Sequence, residues 1–109
     1  QQSIDKFIEQ AIRNGQANIL SKYFFDTIEL TIPGSQDSYS KSHAEQLLKR
    51  FFQKNPPESF VLNSESTCKN TTTKFFIGTY TSKNEQSFRT YYQIKVINDK
   101  EYITVLKFE

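Results

Sequence analysis

His43 and Cys68 are the only histidine and the only cysteine of the chain, and nucleophilic or metal chemistry would have to begin with them. A structural or catalytic metal needs clustered His, Cys, Asp or Glu. The acid nearest to His43 is Glu45, two positions on, and a helix turns such a neighbour to another face. No HxxxH, CxxC or paired acidic motif occurs, so no metal and no cofactor is expected. A nucleophile needs a base beside it, yet His43 and Cys68 fall on different predicted elements, and only folding could join them. Cys68 has no second cysteine to pair with. Between Thr67 and Lys69 it reads as an incidental small residue rather than a redox thiol. A single cysteine suits the cytoplasm, and equally an exported protein that avoids disulfides. Gly15, Gly34 and Gly78 are too scattered to cradle a phosphate.

The polar aromatic residues leave a second kind of chemistry open. Tyrosine stands at positions 23, 39, 80, 91, 92 and 102. From these, Tyr23, Tyr39 and Tyr80 are candidate ligand donors. Arg89, between Phe88 and Thr90, is a candidate clamp for a ligand carboxylate; its plainer role is that of a surface arginine lying along apolar neighbours. Acids are few in the strand segments. Glu29, Glu65 and Glu101 each have polar neighbours and read as solvated carboxylates.

The elements that would position these groups follow from patterning. The chain has 109 residues, enough for one core, so residues 1–109 form one domain. With 24% charged and 36% hydrophobic residues it is neither disordered nor membrane-embedded, and no apolar run approaches the roughly 20 residues of a membrane span. Lys and Arg interleave with Asp and Glu to a net charge of +2, without the basic stripe of a nucleic-acid binder. Ten Phe and six Tyr, with no Trp or Met, make the core aromatic.

Ile4, Phe7, Ile8, Ala11 and Ile12 repeat at helical spacing. Ser3 or Asp5 would support the start of that helix, and Gly15 suits the left-handed position after it. Ile19, Leu20, Tyr23 and Phe24 predict a second, shorter helix, capped better by Asn18 than by Gln16. At Thr27 the period changes to two: Ile28, Leu30 and Ile32 form a half-buried strand, Pro33-Gly34 turns the chain, and Ser35 to Tyr39 returns. In "YSKSHAEQLLKRFFQKNPPESF", Ala44, Leu47, Leu48, Phe51 and Phe52 predict a third helix. Ser40 caps it, or Ser42 does so with Glu45 in a capping box. Asn55-Pro56-Pro57 ends it, and Phe51 and Phe52 should meet the sheet. Residues Phe60 to Cys68, Lys74 to Ser82, Ser87 to Ile97 and Glu101 to Phe108 read as strands. The short polar turns between them predict an antiparallel meander without a long crossover.

This order resembles the nuclear-transport-factor-2-like superfamily, and more narrowly a family of small exported bacterial proteins of unknown function. The resemblance rests on "SKYFFDTIELTI", "YSKSHAEQLLKRFFQKNPP", "IGTYTSKNEQSFRTYYQIK" and "YITVLKFE". It implies an α+β fold in which three N-terminal helices pack on a curved antiparallel sheet, in the order helix, helix, hairpin, helix, four strands. It also implies an exported protein, periplasmic or at the cell envelope. A cleaved signal would account for a chain that begins Gln1-Gln2 without a methionine, as would trimming. The family pattern carries a glycine in the turn held here by Asn84-Glu85-Gln86, and an asparagine where Gln16 stands. Both departures touch a turn and a cap rather than a site. In a bacterial protein the glycosylation pattern at Asn70-Thr71-Thr72 is a chance match.

With no polar constellation on an intact scaffold, the expected function is a non-catalytic ligand-binding or protein-interaction module, its ligand a small molecule. The alternative is a small cone-fold enzyme of the isomerase or dehydratase type, using a pocket carboxylate and tyrosines as the resemblance suggests. An open cone with a buried carboxylate would favour the enzyme; a cone filled by phenylalanines would favour the module. Alternation along Ser87 to Ile97 puts Phe88, Thr90, Tyr92, Ile94 and Val96 on one face and Arg89, Tyr91, Gln93, Lys95 and Ile97 on the other. Phe75 and Ile77 oppose Phe76 and Tyr80, while Ile103 and Val105 oppose Tyr102, Leu106 and Phe108. Three helices cover one face, so the other is expected to form a homodimer contact.

Overall fold

The first helix, α1 (Asp5–Arg13), buries Ile8, Ala11 and Ile12 on the stripe its spacing defines, while Phe7 at the stripe's edge is 47% exposed and stacks on Tyr23. The structure is a computed structural model that describes residues 4–67 and 72–109. Ser3, Cys68, the turn through Asn70 and the first two residues of the glycosylation pattern lie outside the described residues. Gly15 follows α1 with φ 63°, the left-handed region that glycine enters without steric cost. The second helix, α2 (Ala17–Leu20), runs into a single 3-10 turn at Ser21–Tyr23. It is shorter than expected, because Phe24 already belongs to a strand, three residues before the change of period at Thr27. Its cap is Gln16, not Asn18, and the Gln16 side chain makes no capping bond.

Strands β1 (Phe24–Ile32) and β2 (Ser35–Ser40) form the expected hairpin. Helix α3 (Lys41–Lys54) follows at once, with Ser40 Oγ accepting from the His43 amide at 3.3 Å. Ser40, not Ser42, is therefore the cap. Strands β3 (Pro57–Thr67), β4 (Thr73–Ser82), β5 (Ser87–Ile97) and β6 (Lys100–Phe108) complete the chain.

The α+β class and the order of elements are those expected, and the strands make one curved six-stranded sheet ordered β2-β1-β6-β5-β4-β3. The last four strands form the expected antiparallel meander, and two features correct the wholly antiparallel sheet without a long crossover. β1 lies parallel to β6, which makes the sheet mixed, and α3 carries the chain from the β2 edge to the β3 edge. Parallel neighbours need such long-range routing, and no local turn signal reports it.

Bulges bend the strands. The β5–β6 register jumps between Gln93 and Ile94, which leaves Thr104 as the extra residue. A bulge reverses alternation beyond it, so Ile103 shares the inner face with Leu106 and Phe108, while Val105 lies outside with Tyr91 and Lys107. This corrects the face expected for Ile103. A second bulge at Asn63 in β3 faces Gly78. A Cβ at Gly78 would stand 2.6 Å from the Val61 carbonyl oxygen and 2.9 Å from the Phe60 ring. Phe60 thus packs directly over the backbone where the sheet bends.

The core is aromatic. Phe51 and Phe52 are both buried, and Phe51 meets Phe108 at 4.8 Å, Phe88 at 5.1 Å and Tyr80 at 5.7 Å between ring centroids. The inner residues of β5 up to Ile94 are buried as expected. Tyr80 and Tyr92 are both fully buried but differently served. Tyr80 donates to the Asn55 carbonyl at 2.6 Å, whereas the Tyr92 hydroxyl has no hydrogen-bond partner among the described residues. Burial raises both phenol pKa values, that of Tyr92 further through the charges of Glu9, Asp5 and Glu65.

The two hydroxyls predict opposite outcomes. Tyr80→Phe should cost about 1–3 kcal/mol by stranding the Asn55 carbonyl, while Tyr92→Phe should be neutral or gain up to about 1 kcal/mol. Both folded pKa values exceed the unfolded one, so this contribution to stability is complete below pH 10 and lost as pH rises beyond it. Denaturant titrations should show a stability decline above pH 10 that Tyr92→Phe makes shallower.

Both departures from the resembled family's pattern sit on backbone features. Glu85 has φ 67°, a region that favours glycine, and Gln16 is an idle cap. Glu85→Gly and Gln16→Asn should each raise stability by about 0.5–1 kcal/mol in the same titration; a loss at either position would contradict its assignment.

Candidate functional site

The last two turns of α3 form one wall of a cleft of about 580 Å³. Leu47, Arg50, Phe51, Lys54 and Asn55 supply that wall, Ile32 to Ser35 of the β1–β2 hairpin the second, and Asn84, Gln86 and Phe88 the third. Helical spacing dictates the mix. Positions 47, 51 and 54 recur on one side, so the apolar stripe passes into a cationic rim as the helix leaves the core. Pro56 and Pro57 stop the helix there, which leaves its end open to bonds from elsewhere.

The turn between β4 and β5 makes those bonds. The Asn84 side-chain amide donates to the Lys54 carbonyl at 3.3 Å and to Asn55 Oδ1 at 3.4 Å. The Lys83 amide donates to the Pro56 carbonyl at 2.7 Å, and the Asn55 amide closes on the Phe51 carbonyl at 2.8 Å. Ser82 Oγ holds Asn84 and Gln86 in place. The helix end and the turn are thus one assembly with Tyr80 beneath it.

None of the lining residues is acidic. Among the described residues Arg50 and Lys54, one helical turn apart and both exposed, take part in no ion pair. The cleft can therefore bind an apolar body and offer cations and amides to it, but its walls hold no carboxylate or imidazole to move a proton.

The four candidate ligand residues are not brought together. Tyr80 lies under the cleft with its hydroxyl committed to Asn55. Tyr39 is half-buried, its hydroxyl bonded to Ser35 Oγ and its ring 4.8 Å from that of His43; only its partner Ser35 reaches the cleft. Tyr23 stacks on Phe7 and borders a separate depression of about 420 Å³ with Lys22, Lys41, Lys100, Glu101 and Tyr102. Arg89 is exposed on the outer face, in a shallow groove with Glu29, Tyr91, Gln93 and Lys107. His43 is exposed. Among the described residues no group of three His, Cys, Asp or Glu is placed to hold a metal ion, and no helix is long and apolar enough to cross a membrane.

A third cluster departs from the sequence reading. Glu101, expected as a solvated carboxylate, has only 12% of its side chain exposed and pairs with Lys74 at 2.8 Å. Lys74 also pairs with Asp5 at 2.7 Å, and Glu101 Oε1 accepts from the Ile4 amide at 2.9 Å. This carboxylate from β6 thus serves the start of α1, where the helix dipole favours negative charge. Residues so far apart in sequence carry no local signal of such a bond; Glu29 and Glu65 are exposed as expected.

A family model described as "Domain of unknown function (DUF4783)" matches residues 6–109. No functionally curated protein matches. A crystal structure of a DUF4783 family protein from Bacteroides ovatus is 26% identical, with a TM-score of 0.83 over 93% of this chain and 89% of that one. An uncharacterised cystatin-fold protein from Novosphingobium aromaticivorans has a TM-score of 0.71 at 13% identity, over 96% and 93% of the two chains. An NTF-2-like protein of unknown function from Shewanella oneidensis has 0.70 at 14%, over 96% and 92%. At these last two identities the likeness is one of fold.

The ion-pair cluster yields a pH prediction. Burial pulls the Lys74 ammonium pKa down, but hydrogen bonds and charges from Asp5 and Glu101 outweigh it and place the pKa above its ordinary 10.5. Lys74→Met should cost about 1–2 kcal/mol at neutral pH, after allowance for partial exposure. Because the folded pKa is the higher one, the gap between wild type and variant should hold up to pH 10.5 and close above it. A gap that widens in alkali would refute the pairing.

Proposed function

This chain belongs to the DUF4783 family, and from that premise we propose that it is a non-catalytic binding module whose small-molecule ligand sits in the cleft at the end of α3. One observation carries the reading: the concave side of the sheet is filled by rings. Phe51, Phe52, Tyr80, Phe88 and Phe108 occupy the space in which an isomerase or dehydratase of this architecture would need a base. The remaining cleft has apolar and cationic walls without an acid, a composition that suits recognition. Thermal-shift screening of small amphipathic compounds should give stabilising hits, and Leu47→Trp, which narrows the cleft, should abolish them without altering the circular dichroism. Solvent-deuterium exchange beside the carbonyl of a bound ketone would reveal a working base and overturn the module in favour of the enzyme.

The outer face supports a second contact, with another copy of this chain. Phe75 stacks on Tyr91 at 6.5 Å, Lys107 lies 5.9 Å over the Tyr91 ring, and Val61 is 55% exposed. A groove on this face carries Arg89 and Lys107 together with Glu29 and Glu109, so a two-fold axis can set each sign against the other. Light scattering behind a sizing column at about 100 µM should detect a dimer with a dissociation constant in the micromolar-to-submillimolar range, weakened by Arg89→Glu. A monomer mass would remove this contact and leave the cleft reading standing. Export to the periplasm or cell envelope, implied by the resemblance, belongs to the same proposal and is open to cell fractionation.

A further inference from the structure

We propose that the ligand of the α3 cleft is an amphipathic organic carboxylate, an anion on a short apolar or aryl body; this rests on the cleft being the binding site. The floor and the rim separate the two halves of such a molecule. Phe51, Phe88, Leu47 and Ile32 give an apolar floor, which takes up hydrocarbon in proportion to the area removed from water. Arg50 and Lys54 stand on the rim at helical spacing i, i+4. They point to an anion for three reasons.

First, neither is neutralised by an ion pair among the described residues. Second, their surroundings differ from those of the neighbouring helix cation. Lys49 shares its depression with Glu45, whereas the cleft of Arg50 and Lys54 holds no acid at all. Glu85, the acid next in sequence to the rim, is exposed and does not line it. Cations at a helix C-terminus favour the dipole wherever they point; an acid-free cleft beside them is a separate fact. Third, a planar guanidinium offers a carboxylate two parallel N–H donors, and Gln86 lines another wall of the cleft. At about 580 Å³ the cleft suits a small organic molecule.

The test uses three soluble probes of one shape: phenylbutyrate, phenylbutanol and phenylbutylamine, titrated by amide NMR with the side-chain amides of Asn84 and Gln86 as reporters. Phenylbutyrate should shift these signals and bind at least about tenfold tighter than the alcohol, the ratio one charge-assisted contact provides; the amine should be weakest. Its affinity should fall with salt. Arg50→Gln with Lys54→Gln, exposed positions that leave the core untouched, should bring the affinity for the carboxylate down to that for the alcohol. If alcohol and carboxylate bind the cleft equally, the anion class is wrong and the site stands. If no probe shifts the cleft signals, the inference and the site reading both fall.

Discussion

The packing of the Phe51 ring against the sheet is the contact on which the concave side depends. α3 joins the two edges of the sheet, so its position sets how the first hairpin and the meander meet. One ring on that helix reaches β4, β5 and β6 together, through Tyr80, Phe88 and Phe108. Aromatic pairs of this kind add about 0.5–1.5 kcal/mol each beyond the area they bury. The Tyr80 hydroxyl then ties the helix end to the same strands through Asn55. A directional bond beneath a non-directional ring cluster fixes the depth and the rotation of the helix.

The cleft follows from that packing. Rings that fill the interior leave no space there, and the unfilled volume lies where the helix runs past the last ring. The polar stitching by Asn84 and Asn55 is needed because the helix end presents carbonyls without intrahelical partners. Those bonds position the turn as a wall of the cleft. The rim is cationic because a helix C-terminus favours Arg and Lys, and it is free of acids because the facing hairpin and turn supply apolar, hydroxyl and amide groups. Recognition properties thus grow out of the way one helix ends.

The individual site was less legible than its parts. Arg50 and Lys54 are visible in the sequence as late-helix cations, a pattern common to many helices, and nothing local says that Gln86 and Pro33 face them. Tyr80 reads as a ligand donor because its type does not say whether its hydroxyl is committed, and its acceptor is the Asn55 backbone carbonyl, a group that every residue type carries. Glu101 looked solvated because its neighbours are polar, while its partners Lys74 and Ile4 come from β4 and from the start of α1.

What the sequence determined by itself were the properties encoded in spacing. Period 3.6 marked the buried sides of α1 and α3, period 2 marked the inner face of β5, the two prolines ended α3, and Pro33-Gly34 placed the hairpin turn. Each depends on residues within a turn or two of one another, where side-chain direction is set by backbone geometry alone. The tertiary structure decided the rest: the parallel β1–β6 pairing, the bulge at Thr104 that turns Ile103 inward, the Glu101–Lys74–Asp5 pairing and the cleft. These depend on which strand lies beside which. That choice rests on contacts between residues far apart in sequence, and no short stretch of the chain contains it.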